Sequence, residues 1–252
     1  MGNFYQKHDG ERPLRTKRTE KKTSDPKETD LNQNIPDNYQ KHDGTLSATL
    51  IHIISGGEKR EKDYFGFFIA RRTIFPRIKL TFTTDKGGYD VNNLTEKAIA
   101  VRTKSRKNDK VYAVTDVDHF YSQIKDKLPE CKEYNIDMII SNPCFEIWLL
   151  YHKTDKPPTY LSSLDTIKIP KALKKHLNEE FKGGINPKEA ALYIDTAISN
   201  SLKHYKEDKN NIPELWATNM HSLAQIIYNK TDSELESYRK EKEEKEKRYR
   251  KK

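Results

Sequence analysis

An α/β fold built on a mostly parallel, doubly wound sheet is what this sequence predicts, and two observations predict it. Between residues 48 and 151, short strand-like apolar runs alternate four times with stretches long enough to be helices. Strands separated by helices of that length need crossover connections, which align the strands in parallel and cover both faces of the sheet.

The elements follow in order. TLIHII (49–54) is a buried strand, EKDYFGFFIA (61–70) a helix, and RIKLTFTT (77–84) a second strand. A helix over 91–105, a strand at VYAVTD (111–116), a helix over 122–133, a strand at DMII (137–140) and a helix opening at Pro143 complete the alternation. Asn142-Pro143 suits an N-cap followed by proline at the first helical position. Beyond Tyr151 the strand signals fade, and amphipathic patterns over 170–181, 187–204 and 220–229 predict a helical C-terminal part. The expected organisation is therefore a polar arm (1–47), an α/β domain (48–151), a helical region (152–230) and a charged tail (231–252).

The termini are compositionally different from the middle. Residues 1–47 hold nine Lys/Arg and eight Asp/Glu with little apolar pattern, so a disordered or loosely docked arm is expected. The arm carries YQKHDG twice, at 5–10 and 39–44, and a basic cluster of Arg12, Arg15, Lys17, Arg18, Lys21 and Lys22 that suits phosphates as well as solvent. The tail, nine Lys/Arg against seven Asp/Glu, has opposite charges four apart but no apolar stripe, and reads as a solvated helix or a disordered segment. Of the formal net charge of +9, these ends carry +1 and +2, leaving +6 on residues 48–230. A basic folded part favours a polyanionic partner such as RNA or DNA. No apolar run approaches the roughly 18 residues that span a bilayer. The start lacks a secretory h-region and, with no hydroxyl residue at position 6, a myristoylation signal. Cys131 and Cys144 make neither a disulfide framework nor a zinc cluster, so a cytoplasmic protein without membrane attachment is expected.

In a doubly wound sheet, ligands bind beyond the carboxyl ends of the strands. Four segments lie there: Ser55-Gly56-Gly57-Glu58-Lys59, Thr84-Asp85-Lys86-Gly87-Gly88, Asp116-Val117-Asp118-His119 and Ser141-Asn142-Pro143. Asp116 and Asp118 are the sharpest feature. Two carboxylates two residues apart repel one another unless a divalent cation sits between them, and Mg²⁺ or Mn²⁺ takes one or two carboxylates plus waters and phosphates. The bland alternative makes one of them a helix cap and the other a solvated charge. Gly56 and Gly57 permit close approach to a phosphate beside a helix N-terminus, although the run does not match a P-loop. Glu58 and Glu61 are either ligands or first-turn acids, Lys59 and Arg60 can neutralise phosphate, and Glu146 sits on a largely apolar helix where a carboxylate needs a partner. His119 and His221 lack any diagnostic spacing, and Cys144 reads as a small apolar core residue.

Taken together and in this order, IISGGEKREKDYF, VTDVDHF, SNPCFEIWLLYH and TNMHSLAQII resemble the RloB-like family of TOPRIM-related proteins, over about residues 48–230. SNPCFEIWLLYH is the most specific piece. The resemblance implies a TOPRIM-like sheet and Mg²⁺- or Mn²⁺-dependent chemistry at a nucleic-acid phosphodiester. It also implies a role in phage defence, with an ATPase partner of the RloA or OLD-like kind, and leaves homo-oligomerisation open. It places the acidic pair at Asp116 and Asp118 and a further acid at Glu146. The glutamate that the family carries after the first strand falls on Gly56, so Glu58 or Glu61 would have to replace it. Two functions follow: a metal-dependent nuclease acting on RNA, such as tRNA, or DNA, and an impaired nucleic-acid- or nucleotide-binding regulatory subunit. A purely structural partner of an ATPase is a third.

Overall fold

The computed structural model describes residues 48–250, leaving the side chain of Arg250 aside. The arm of residues 1–47, with its repeat and its basic cluster, lies outside the described residues. Four strands form one parallel sheet: β1 (Thr49–Ser55), β2 (Ile78–Thr83), β3 (Lys110–Asp116) and β4 (Asp137–Ser141), in the spatial order β2-β1-β3-β4. The order reverses between β1 and β3, where Ser55 is level with Val114. That is the crevice in which a doubly wound sheet holds its ligand.

Alternation along the strands divides the core. Ile51, Ile53, Tyr112, Val114 and Ile139 face one layer, while Ile54, Val111, Ala113, Met138 and Ile140 face the other. The second layer is completed by α2 (Val91–Lys104) and α3 (Tyr121–Glu133), through Val91, Leu94, Ala98, Ile124 and Cys131. α2 starts where its spacing predicts because the Asp90 carboxylate accepts from the Asn93 N–H, an N-cap bond.

The first layer holds α1 (Arg60–Ala70), whose Tyr64, Phe65, Phe67 and Phe68 are buried, and α4 (Glu146–Tyr151), a six-residue helix buried on every side. Each fully buried side chain such as Trp148 or Leu149 contributes about 1.5–3 kcal/mol. The same layer takes in α5 (Ile169–Glu180), α6 (Pro187–Ala190), α7 (Ile194–His204) and α8 (Met220–Tyr228). One apolar cluster therefore runs from the sheet through the C-terminal helices.

Three elements differ from the sequence reading. Pro143 does not open a helix. The Asn142-Pro143 bond is cis, and the Asn142 backbone bonds to Ala217 and Trp216 while its side chain donates to the Pro213 carbonyl, so α4 starts only at Glu146. The stretch over 187–204 is two helices separated by a 3₁₀ turn, Ala191–Tyr193. The charged tail docks at its start: α9 (Asp232–Arg250) buries Leu235, packs Tyr238 on the core and sets Arg239 against the Asp195 carboxylate and the Leu192 carbonyl. Among the described residues no helix is long and apolar enough to cross a membrane.

Candidate acidic site at the sheet switch point

A depression of about 270 Å³ opens at the carboxyl ends of β1 and β3, lined by Gly57, Glu58, Lys59, Arg60, Glu61, Asp116, Glu146 and Lys174. Each element supplies its residue for a local reason. Asp116 is the last residue of β3, Glu61 lies in the first turn of α1, and Glu146 is the first residue of α4. Lys174 arrives from α5, whose Leu173 and Leu177 are buried and whose next face is turned to the pocket.

Three carboxylates share this space with two cations. Glu146, 4% exposed, has its Oε1 3.7 Å from Lys174 Nζ and 3.9 Å from Arg60 Nε. Arg60 is held from its other side by the Ile185 carbonyl at 3.0 Å. Burial pushes Glu61 up to about 7, aided by the Glu146 charge and opposed by its own backbone N–H, Lys174 and Arg60. Burial also raises Asp116 well above the usual carboxylate range, with the Glu61 and Glu146 charges adding to it. Lys174 loses some basicity to burial, but Glu146, Cys144, Asp116 and Glu61 together raise it. The pocket is thus short of positive charge, a condition that a cation or bound protons relieve.

Two glycines beside the site have different duties. A Cβ on Gly57 would fall 2.1 Å from the Glu61 carboxyl, so glycine there is what lets that carboxylate lie over the turn. Gly56 is bound between neighbours: its N–H donates to the Val114 carbonyl, its carbonyl accepts from Tyr89, and a Cβ would meet the Tyr89 oxygen at 3.1 Å. It does not line the depression. The acid that occupies the pocket after β1 is Glu61.

Of the residues singled out from sequence, the fold brings Asp116, Glu61, Glu146, Arg60, Lys59 and Gly57 together. Glu58 lies at the margin, with its carboxylate accepting from the Gly87 N–H at 3.1 Å. Asp118 does not share the pocket with Asp116. Its backbone takes φ +27, its N–H donates to the Pro143 carbonyl at 3.1 Å, and its carboxylate lies 3.4 Å from His119 Nδ1, lining a neighbouring depression. The turn after β3 sends the two side chains apart. Cys144 is buried, and burial raises its thiol well above its usual range. Lys174 was missed, because nothing in KALKKHL distinguishes that lysine from its neighbours until α5 is docked.

A family model described as RloB-like protein matches residues 51–227, from β1 into α8. The chain belongs to the RloB-like protein family. The matched span includes every residue of the acidic pocket in this RloB-like chain. Searches of curated proteins and of solved structures each gave no match.

Proposed function

We propose that this RloB-like chain is a divalent-metal-dependent nuclease acting on RNA, such as tRNA, or DNA. The observation that carries the reading is the set of three carboxylates, Glu61, Asp116 and Glu146, around one pocket at the switch point of the sheet, faced by Arg60 and Lys174.

The donors fit Mg²⁺ or Mn²⁺ in kind, being all carboxylate oxygens in a pocket short of positive charge. Among the described residues no three acidic, His or Cys side chains converge as a ready-made cage. Mg²⁺ needs only one or two carboxylates with water and substrate phosphate for the rest, which Asp116 with Glu61 or Glu146 would supply. When bound, the cation supplies charge neutralisation and a more acidic water. Glu61, held near 7, can take or give a proton at neutral pH, which suits general acid–base work on the attacking water or the leaving oxygen. Arg60 and Lys174 would face the phosphate. The basic balance of residues 48–230 supports a polyanionic substrate. A defence role under control of an OLD-like ATPase partner is supported by the family resemblance.

The reading is tested by cleavage of total RNA and plasmid DNA with Mg²⁺ or Mn²⁺, comparing the wild type with Asp116→Ala and Glu61→Gln. Cleavage by wild type alone is expected, and equal cleavage by all three would remove the site. An impaired binding subunit instead requires that wild type be inactive and that Gly56→Glu create activity. With Glu61 filling the pocket and Gly56 outside it, that outcome is not expected.

A further inference from the structure

Beside the acidic pocket lies a second depression of about 260 Å³, lined in part by Val117, Asp118, Asn142, Pro143, Thr166 and Ile169. Drug-sized ligands occupy sites of roughly 300–1,000 Å³, so this one suits a single ring system. Its walls are aliphatic, completed by Leu215. Its polar groups are acceptors. The Asp118 side chain is 33% exposed, with only His119 beside it. Asn142 spends its Nδ2 on the Pro213 carbonyl, and among the described residues its Oδ1 takes no hydrogen bond.

The two depressions share one strand end. Asp116 lines the first and Asp118 the second, and two residues of extended chain span at most about 7 Å. A phosphate at Asp116 and a base at Asp118 are therefore within the reach of one nucleotide. The geometry of the turn is fixed on purpose: Val117 and Asp118 donate their N–H groups to Ser141 and Pro143, which holds Asp118 in a left-handed conformation and its carboxylate toward the second depression. Non-glycine residues kept in that region point to a functional constraint.

We propose that this depression is a nucleobase subsite, taking one unstacked base that carries an exocyclic amine, adenine, cytosine or guanine, from a single-stranded segment. The amine donates to the Asp118 carboxylate and Asn142 Oδ1 while the ring lies on Ile169, Pro143 and Leu215. A carboxylate reads an amino group in this way, and uracil, which presents a carbonyl there, is disfavoured. This inference rests on the nucleic-acid reading of the acidic pocket and specifies its substrate.

The experiment measures fluorescence-anisotropy binding of the full chain to single-stranded A, C and U hexamers in EDTA, where charge is constant and only the base changes. Cleavage with Mn²⁺ is read separately. A and C are expected to bind roughly tenfold tighter than U. Thr166→Trp, an exposed position whose ring would fill the depression, abolishes the preference, and Asp118→Asn, which keeps size and fold, narrows it. Equal binding of A, C and U by wild type, or a preference that survives both variants, overturns the subsite. Cleavage with no base preference leaves the nuclease reading standing without it. Base-selective binding with no cleavage keeps the subsite and removes the nuclease, and absence of both removes both.

Discussion

Glycine-to-alanine changes at three neighbouring positions should give three different outcomes. In Gly57→Ala the new methyl would sit 2.1 Å from the Glu61 carboxyl, the mobile end of a side chain. The carboxylate swings out, at a cost of about 1 kcal/mol or less, and activity falls by at least about 100-fold, the usual worth of a positioned acid or base. In Gly88→Ala the methyl would lie 2.0 Å from the Gly56 carbonyl, which is backbone, and the residue would need φ +85. The left-handed conformation alone costs about 1–2 kcal/mol, and forced overpacking adds about 1–3. A chain of this size loses about 2–4 °C of Tm per kcal/mol, so a fall of roughly 5–15 °C is expected. Gly56→Ala, with a 3.1 Å contact to Tyr89 and no part in the pocket, should cost at most a few degrees and leave activity close to wild type. Circular dichroism melting and metal-dependent cleavage read all three. A folded Gly57→Ala enzyme with wild-type activity would refute the placement of Glu61 in the chemistry.

Other consequences are simpler to state. Because the folded state raises Glu61 from 4.5 to about 7, it holds a proton that the unfolded chain releases, and the resulting stability is full below about pH 4.5 and lost as pH rises through 7. In EDTA, the Tm of wild type minus that of Glu61→Gln should therefore be more positive at pH 5 than at pH 8, and a difference that does not change with pH would contradict the burial. His152 is pushed down to about 3 by burial, so it favours the folded state above about 6.5 and loses that contribution as pH falls toward 3; His152→Phe should flatten the acid limb of the melting profile. Lys174→Ala should raise the KM for nucleic acid several-fold while moving Tm by no more than about 3 °C, since the ammonium is half-exposed. Leu235→Ala should cost about 2–5 kcal/mol by calorimetry, whereas an undocked tail would show no change.

Much of this was legible in the sequence because period-2 and period-3.6 patterns dominate residues 49–141. Ile51, Ile53 and Ile54 alone announce a strand buried on both faces. Asn142-Pro143 misled because a local N-cap signal was outweighed by tertiary bonds to residues 213–217, which no local pattern contains. The docking of α9 rests on Leu235, Tyr238 and Arg239, too few to register as an amphipathic stripe. In the site, Asp116, Glu61, Glu146 and Arg60 were visible as chemistry out of place on apolar elements. The separation of Asp118 from Asp116 depends on one left-handed residue, and the arrival of Lys174 depends on how α5 packs, so neither could be read from spacing.

The central claim, that the pocket of Asp116, Glu61 and Glu146 is a divalent-cation site, is tested most directly by anomalous diffraction from crystals soaked in Mn²⁺. The account predicts a peak at roughly 2.0–2.2 Å from an Asp116 oxygen, with Glu61 or Glu146 as a second ligand. A peak on Asp118 with none at Asp116, or no peak in a protein that cleaves with Mn²⁺, would contradict it.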